Sequence, residues 1–112
     1  MTLVLCTRIS AAAAALLVSG QALAAMDDAA ANAAMGKGGC NACHAVAKKI
    51  VGPSFADIAG KYKGDPKAVA TLSEQVRKGG AGKWGQVPMP PSPPDKISDA
   101  DLKAVVEWIL TK

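Results

Sequence analysis

Cys40-Asn41-Ala42-Cys43-His44 is the densest run of chemically capable side chains in this 112-residue sequence. Two thiols three residues apart lie on one face of a helical turn, and an imidazole follows directly. Three chemistries use such a cluster. A redox dithiol of the thioredoxin kind needs a βαβ pattern around it, and no strand-like alternation flanks this one. A structural zinc site needs four ligands, and the only other Cys or His in the sequence is Cys6. Covalent haem attachment needs two thiols for thioethers to the two vinyl groups and a histidine that reaches the iron from the same side. Cys-x-x-Cys-His is the spacing that supplies them, and it is the reading favoured here.

The start of the chain supports that reading through the compartment it implies. A short polar stretch ends at Arg8, residues 9–18 are almost wholly apolar, and Ala22-Leu23-Ala24 offers a small-x-small cleavage site. Residues 1–24 are therefore expected to be a cleaved secretory signal peptide, with residues 25–112 forming a single domain. The apolar run is about half the ~20 residues that span a bilayer, so no permanent transmembrane anchor is expected. Too little apolar chain precedes Cys6 for a lipid anchor there. Cleavage removes Cys6 and leaves Cys40 and Cys43 in an oxidising compartment, where free thiols ordinarily pair.

Composition narrows the field further. The chain is 50% hydrophobic and 20% charged, with a formal net charge of +4. That balance is too apolar for a disordered chain, and its basic residues are too few and too dispersed for a nucleic-acid binder. A mature chain of this size builds only a small core, and its aromatic residues are Phe55, Tyr62, Trp84 and Trp108. A buried porphyrin would supply the missing apolar mass, so the chain without haem is expected to fold poorly.

The elements that must position the motif read as short helices and loops. Asp27 and Asp28 open an alanine-rich helix to about Met35, which Gly36, Gly38 and Gly39 should break. A short helix is expected from Cys40 to about Val46. Pro53-Ser54 opens another, with Ser54 and Asp57 in capping spacing and Phe55, Ile58 and Ala59 on one side. Asp65-Pro66 reads as a cap with proline at the first helical position, and the helix runs to about Arg77 with Val69, Leu72 and Val76 as its stripe. Gly79-Gly80 ends it. Ser98 and Asp101 cap a last helix in which Leu102, Val105, Val106 and Ile109 share a face. The fold class is all-α, with four to five helices.

Between the last two helices lies a proline-rich loop. His44 is the only histidine, so a second histidine ligand to iron is excluded. The sixth position falls to methionine, lysine, an external ligand or nothing. Met26 sits at a terminus expected to fray. Met35 stands too close before Cys40 to reach round to the other porphyrin face. Met89 lies about 45 residues beyond His44, ample chain to circle the ring, and prolines on both sides reduce the entropy lost in holding a weak thioether ligand. The plain alternative, a methionine filling a gap in a small core, is outweighed once a haem motif precedes it.

These residues together resemble the small bacterial class I cytochromes c of the c-551/552 type. The resemblance rests on Cys40 to His44, Val51-Gly52-Pro53, Trp84, Val87-Pro88-Met89-Pro90-Pro91 and the closing helix with Trp108, and it covers essentially the whole mature chain. It implies a class I cytochrome c fold wrapped around one covalent haem c, with Cys40 and Cys43 as attachment residues and His44 and Met89 as axial iron ligands. It also implies that the Pro53 carbonyl accepts a hydrogen bond from His44 and that Trp84 turns its indole N–H toward a haem propionate. Trp108 reads as core. The lysines at 48, 49, 61, 63, 78 and 83 read as a solvated face, some of which would ring the haem edge and steer an acidic partner.

Iron with both axial positions filled has no open site for a substrate, which points to one-electron transfer rather than catalysis. The expected function is a monomeric periplasmic shuttle between respiratory complexes, terminal oxidases or reductases, docking over a small area. Two alternatives stand beside it. One is a haem protein with an open sixth site, for gas binding or peroxidase-like activity; the other is a fixed subunit of a larger redox complex. A five-coordinate cytochrome c-prime would carry its motif near the C-terminus, and a peroxidase would want a second histidine.

Overall fold

The computed structural model describes residues 26–112, so the expected signal peptide lies outside the described residues. Among the described residues four α-helices follow one another: α1 (Asp28–Gly38), α2 (Phe55–Lys61), α3 (Ala68–Lys78) and α4 (Asp99–Ile109). A single 3₁₀ turn, Cys40–Ala42, lies between α1 and α2. Among the described residues there is no strand, only two isolated bridges, His44 with Lys49 and Gly80 with Met89. The all-α expectation therefore holds.

Three of the caps are those the sequence offers. Asp27 accepts the Ala30 N–H at 2.7 Å, Ser54 that of Asp57 at 3.1 Å, and Ser98 that of Asp101 at 3.1 Å. Each satisfies a donor that has no partner inside its helix.

The core forms where α4 meets the other three helices. Leu102, Val105, Val106 and Trp108 turn inward from α4 and meet Ala31, Ala34 and Met35 of α1 and Phe55 and Ile58 of α2. The alanines of α1 have little side chain to hold the backbones apart, so the first and last helices pack closely. Trp108 locks that contact. Its ring edge meets Phe55 at 5.8 Å between centroids, and its Nε1–H donates to Asp28 Oδ1 at 2.9 Å. Lys112 also reaches Asp28, at 3.3 Å, while standing over the Trp108 ring. Met26 leans on the same core, where fraying was expected.

Local signals mislead in three places. First, α1 runs through Gly36 to Gly38, and only Gly39, at φ 74°, stops it. Tertiary packing outweighs the ~1 kcal/mol that each helical glycine costs. Gly38 is also where the chain comes close to Ile97, which a Cβ there would meet at 3.6 Å. Second, the helix expected from Cys40 to Val46 shrinks to the one 3₁₀ turn. The carbonyls of Cys43, Ala45 and Val46 are taken instead by the amides of Gly52, Phe55 and Ala56, at 2.8, 2.9 and 2.9 Å. Third, Asp65 accepts the Lys67 N–H at 2.8 Å in a turn, and α3 proper begins at Ala68.

Candidate functional site

An apolar cleft of about 270 Å³ opens between α2, α3, α4 and two loop segments. Its floor is aliphatic and aromatic: Phe55, Ile58, Leu72, Val76, Leu102, Val105, Val106 and Ile109. One wall carries Cys40, Cys43, His44, Gly52 and Pro53; the other is the unbroken run from Gly80 to Pro90, with Met89 and Trp84 in it. All six site residues read from the sequence thus share one cleft.

On the first wall, backbone bonds turn the short loop from Cys40 to His44 back on itself. Both the Cys43 and the His44 N–H donate to the Cys40 carbonyl, at 3.2 and 3.0 Å. This keeps the two thiols on neighbouring parts of one turn. Both are free and half-buried, and burial pushes the Cys40 thiol above its ordinary range, with the neighbouring Cys43 adding to the effect and a backbone hydrogen bond opposing it.

His44 is held on three sides. Its Nδ1 lies 2.7 Å from the Pro53 carbonyl oxygen, which can only accept, so Nδ1 carries the proton and Nε2 keeps a free lone pair. Its ring stacks on Phe55 at 5.5 Å between centroids and 21° between planes. Behind it, a Cβ on Gly52 would stand 2.6 Å from His44 Cε1. Glycine is needed there for the ring to fit. A histidine so fixed presents one nitrogen to a metal in one orientation, the arrangement that tunes ligating imidazoles generally.

The second wall has no regular secondary structure to hold it. Its far end is pinned at Met89, which exchanges two backbone hydrogen bonds with Gly80: Gly80 N–H to Met89 O at 2.9 Å and Met89 N–H to Gly80 O at 2.8 Å. Gly79, just before, lies at φ 67° and ψ −160°, a conformation essentially reserved for glycine. A Cβ on it would stand 2.3 Å from the Met89 carbonyl oxygen. Met89 itself is half-buried. Met35 is a core residue, 1% exposed, and Met26 packs on the core outside the cleft, so Met89 alone among the described methionines lines it.

Trp84 is 38% exposed at the rim, with the Lys61 ammonium 4.5 Å from its ring centroid. The lysines separate into two groups. Lys49 and Lys83 line the cleft and Lys61 covers Trp84, whereas Lys78 pairs with Glu74 on α3. Four contributors were not apparent from sequence: Gly79 as the support under Met89, Lys61 over Trp84, and Ser92 and Arg77, which hold the second wall from behind. A positive-φ glycine at a helix end is foreseeable, but the partner it accommodates is not.

Among the described residues, no three His, Cys, Asp or Glu side chains converge as a cage for a bare metal ion. What the cleft does offer is two thiols, one nitrogen lone pair, one thioether and an apolar floor. That donor set fits a flat apolar macrocycle that brings its own four equatorial ligands.

Comparison with known proteins agrees. The cytochrome c family profile matches residues 18–112. Cytochrome c-552 of Nitrosomonas europaea is 47% identical over 100 residues, covering 89% of this chain and 89% of that protein. Cytochrome c2 of Rubrivivax gelatinosus is 54% identical over 74 residues, covering 66% of this chain and 87% of the relative. The crystal structure of wild-type Nitrosomonas europaea cytochrome c552 superposes with a TM-score of 0.64 at 45% identity, over 71% of this chain and 96% of that one. The class 1 cytochrome MtoD of Sideroxydans lithotrophicus gives 0.66 at 32% identity, over 78% and 97%.

Proposed function

The chain belongs to the cytochrome c family, with its class I fold and covalently bound haem c, and from that premise we propose that it is a periplasmic one-electron carrier. It would be made with a signal peptide over residues 1–24 and work as the domain from residue 25 to residue 112. Cys40 and Cys43 would hold the haem, His44 Nε2 would face the iron from one side and Met89 Sδ from the other. When bound, the haem supplies an iron that alternates between ferric and ferrous states.

The observation that carries this reading is the pairing of His44 and Met89 in the lining of one apolar cleft. A site with a ligand on each side leaves no room for a substrate at iron, and the chain's work is then to hold both ligands still while charge changes. His44 Nδ1–H donates to the Pro53 carbonyl, which fixes the ring's orientation and leaves Nε2 as the nitrogen available to the iron. The aliphatic floor excludes water, and ligands fixed beforehand need little rearrangement on electron transfer. Lys49, Lys61 and Lys83 at the rim would favour acidic donors and acceptors among respiratory complexes or reductases, through brief encounters over a small area.

Met89→Ala is the test. Covalent haem should remain, the ferric thioether band should vanish, the reduction potential should fall, and carbon monoxide should bind the ferrous protein rapidly. An unchanged potential and an unchanged spectrum would remove Met89 as ligand. Rapid carbon monoxide binding by the unmodified protein would replace the carrier with a ligand-binding haem protein.

A further inference from the structure

From Gly79 to Lys96 the chain is exposed or half-buried at every position but one. The exception is Ser92, 7% exposed, and all three of its polar groups are engaged by different partners. Its N–H donates to the Val76 carbonyl at 2.9 Å, its hydroxyl to the Gly38 carbonyl at 3.1 Å, and its own carbonyl accepts from Arg77 Nη1 at 3.0 Å. Gly38 and Val76 lie in the last turns of α1 and α3, where carbonyls have no donor within their own helix. One loop residue therefore caps two helix ends. Arg77 braces the arrangement from α3, with its other nitrogen 2.6 Å from Asp99 Oδ1 in the first turn of α4.

The placement of this node bears on the cleft. Gly38 stands two residues before Cys40, at the end of α1 that leads into the wall that holds the thiols. Ser92 stands three residues after Met89, just beyond the wall that holds the thioether. Pro90 and Pro91 between them have fixed φ, so a displacement of Ser92 passes to Met89 with little absorbed on the way. The node thus spans the two walls from behind, while the Gly80–Met89 bridge holds the second wall only to α3.

We propose that Ser92, braced by Arg77, is a positioning residue that sets how firmly Met89 is held across the cleft, by tying its loop to the Gly38 carbonyl beside the attachment turn. This rests on the reading of Met89 as the iron ligand. Loosening the node should leave the ligand set intact and speed the thioether's release.

The test uses the haem-loaded ferric protein mixed with imidazole at saturating concentration, where the rate of ligand exchange reports methionine release. Ser92→Ala should exchange about fivefold faster, the scale of one lost hydrogen bond. Arg77→Gln should accelerate it in the same direction, and it serves as the measurement should Ser92→Ala fail to fold. Ser92→Thr keeps the hydroxyl and should return the rate to within about twofold of the unmodified protein. Ala59→Gly on α2 makes none of these contacts; it should lower the melting temperature through its helix penalty and leave the exchange rate unchanged. Exchange at the unmodified rate in Ser92→Ala, or in Arg77→Gln where Ser92→Ala does not fold, overturns the proposal. So does equal acceleration by Ala59→Gly, which would make the effect one of general stability. Absence of the thioether band in the unmodified protein would remove the Met89 reading itself, and the node's role with it.

Discussion

On the wall that carries His44, the carbonyl that orients the imidazole is nine residues away in sequence. On the wall that carries Met89, the hydroxyl bond that anchors the loop spans 54 residues, and the ion pair behind it spans 22. The first wall is held largely by its own segment, with bonds from Gly52, Phe55 and Ala56 closing it against the start of α2. The second has Gly80 and Ser92 as its fixed points, and both depend on helices already in place. Apart from Met89 the second wall is exposed from Gly80 to Pro90, whereas Cys40, Cys43, His44, Gly52 and Pro53 are half-buried, and a segment with few buried contacts opens at lower free energy. The methionine side is therefore the side expected to yield first.

Gly79→Ala should break that comparison most severely. The new methyl would need the backbone of Met89 to retreat from 2.3 Å, and the residue would keep a φ of 67° in a region that L side chains scarcely enter. A loss of roughly 3 kcal/mol is expected, seen as a lower thermal midpoint together with loss of the ferric thioether band. Stability within about 0.5 kcal/mol of the parent, the range of an ordinary surface change, would mean that the second wall has slack that the geometry does not show.

Gly52→Ala asks the same question of the first wall. Here the clash, at 2.6 Å, is with a side chain, and the His44 ring can swing only by leaving the Pro53 carbonyl or the Phe55 face. Overpacking of this kind costs roughly 1–3 kcal/mol, and about 2 kcal/mol is expected, less than at Gly79. The Nδ1 proton resonance should shift or broaden while the thioether band survives. If Gly52→Ala proved the more damaging of the two, the ranking of the walls would be reversed.

The same division explains how far the sequence could be read. Caps at Ser54 and Ser98 were legible because the hydrogen bond lies within three residues of the residue that makes it. Cys40 to His44 and the proline-flanked Met89 stand out by residue type and spacing alone, and the structure brings Cys40, Cys43, His44, Pro53, Trp84 and Met89 to one cleft. Residues 43–46 were misread as helix because amides up to ten positions away compete for their carbonyls. Gly36 and Gly38 were misread as breakers because the packing of α1 on α4 outweighs intrinsic propensity. Ser92 and Arg77 left no local trace. A serine between prolines looks like any turn residue until α1, α3 and α4 deliver their ends to it.

The smallest expected effect sharpens the comparison through pH. Asp28 is held below its ordinary carboxylate value of 3.8, first by the Trp108 indole N–H and then by Lys112, with a small opposing contribution from burial. A lowered pKa in the folded state means that the unfolded chain binds the extra proton more readily. The clasp between α1 and α4 therefore contributes in full above about pH 4 and fades as pH falls through the folded value. Since the Ser92 node hangs on the end of α1 and, through Arg77, on the start of α4, acid should loosen the Met89 wall before the His44 wall. In an acid titration of the haem-loaded protein, the thioether band should be lost at a higher pH than the histidine ligation. Asp28→Asn should reduce the steepness of the acid transition while leaving neutral spectra unchanged, because the amide can still accept from Trp108 but no longer titrates. Simultaneous loss of both ligands, with an acid slope identical in Asp28→Asn, would show that the two walls open as one unit and that the clasp does not govern the order.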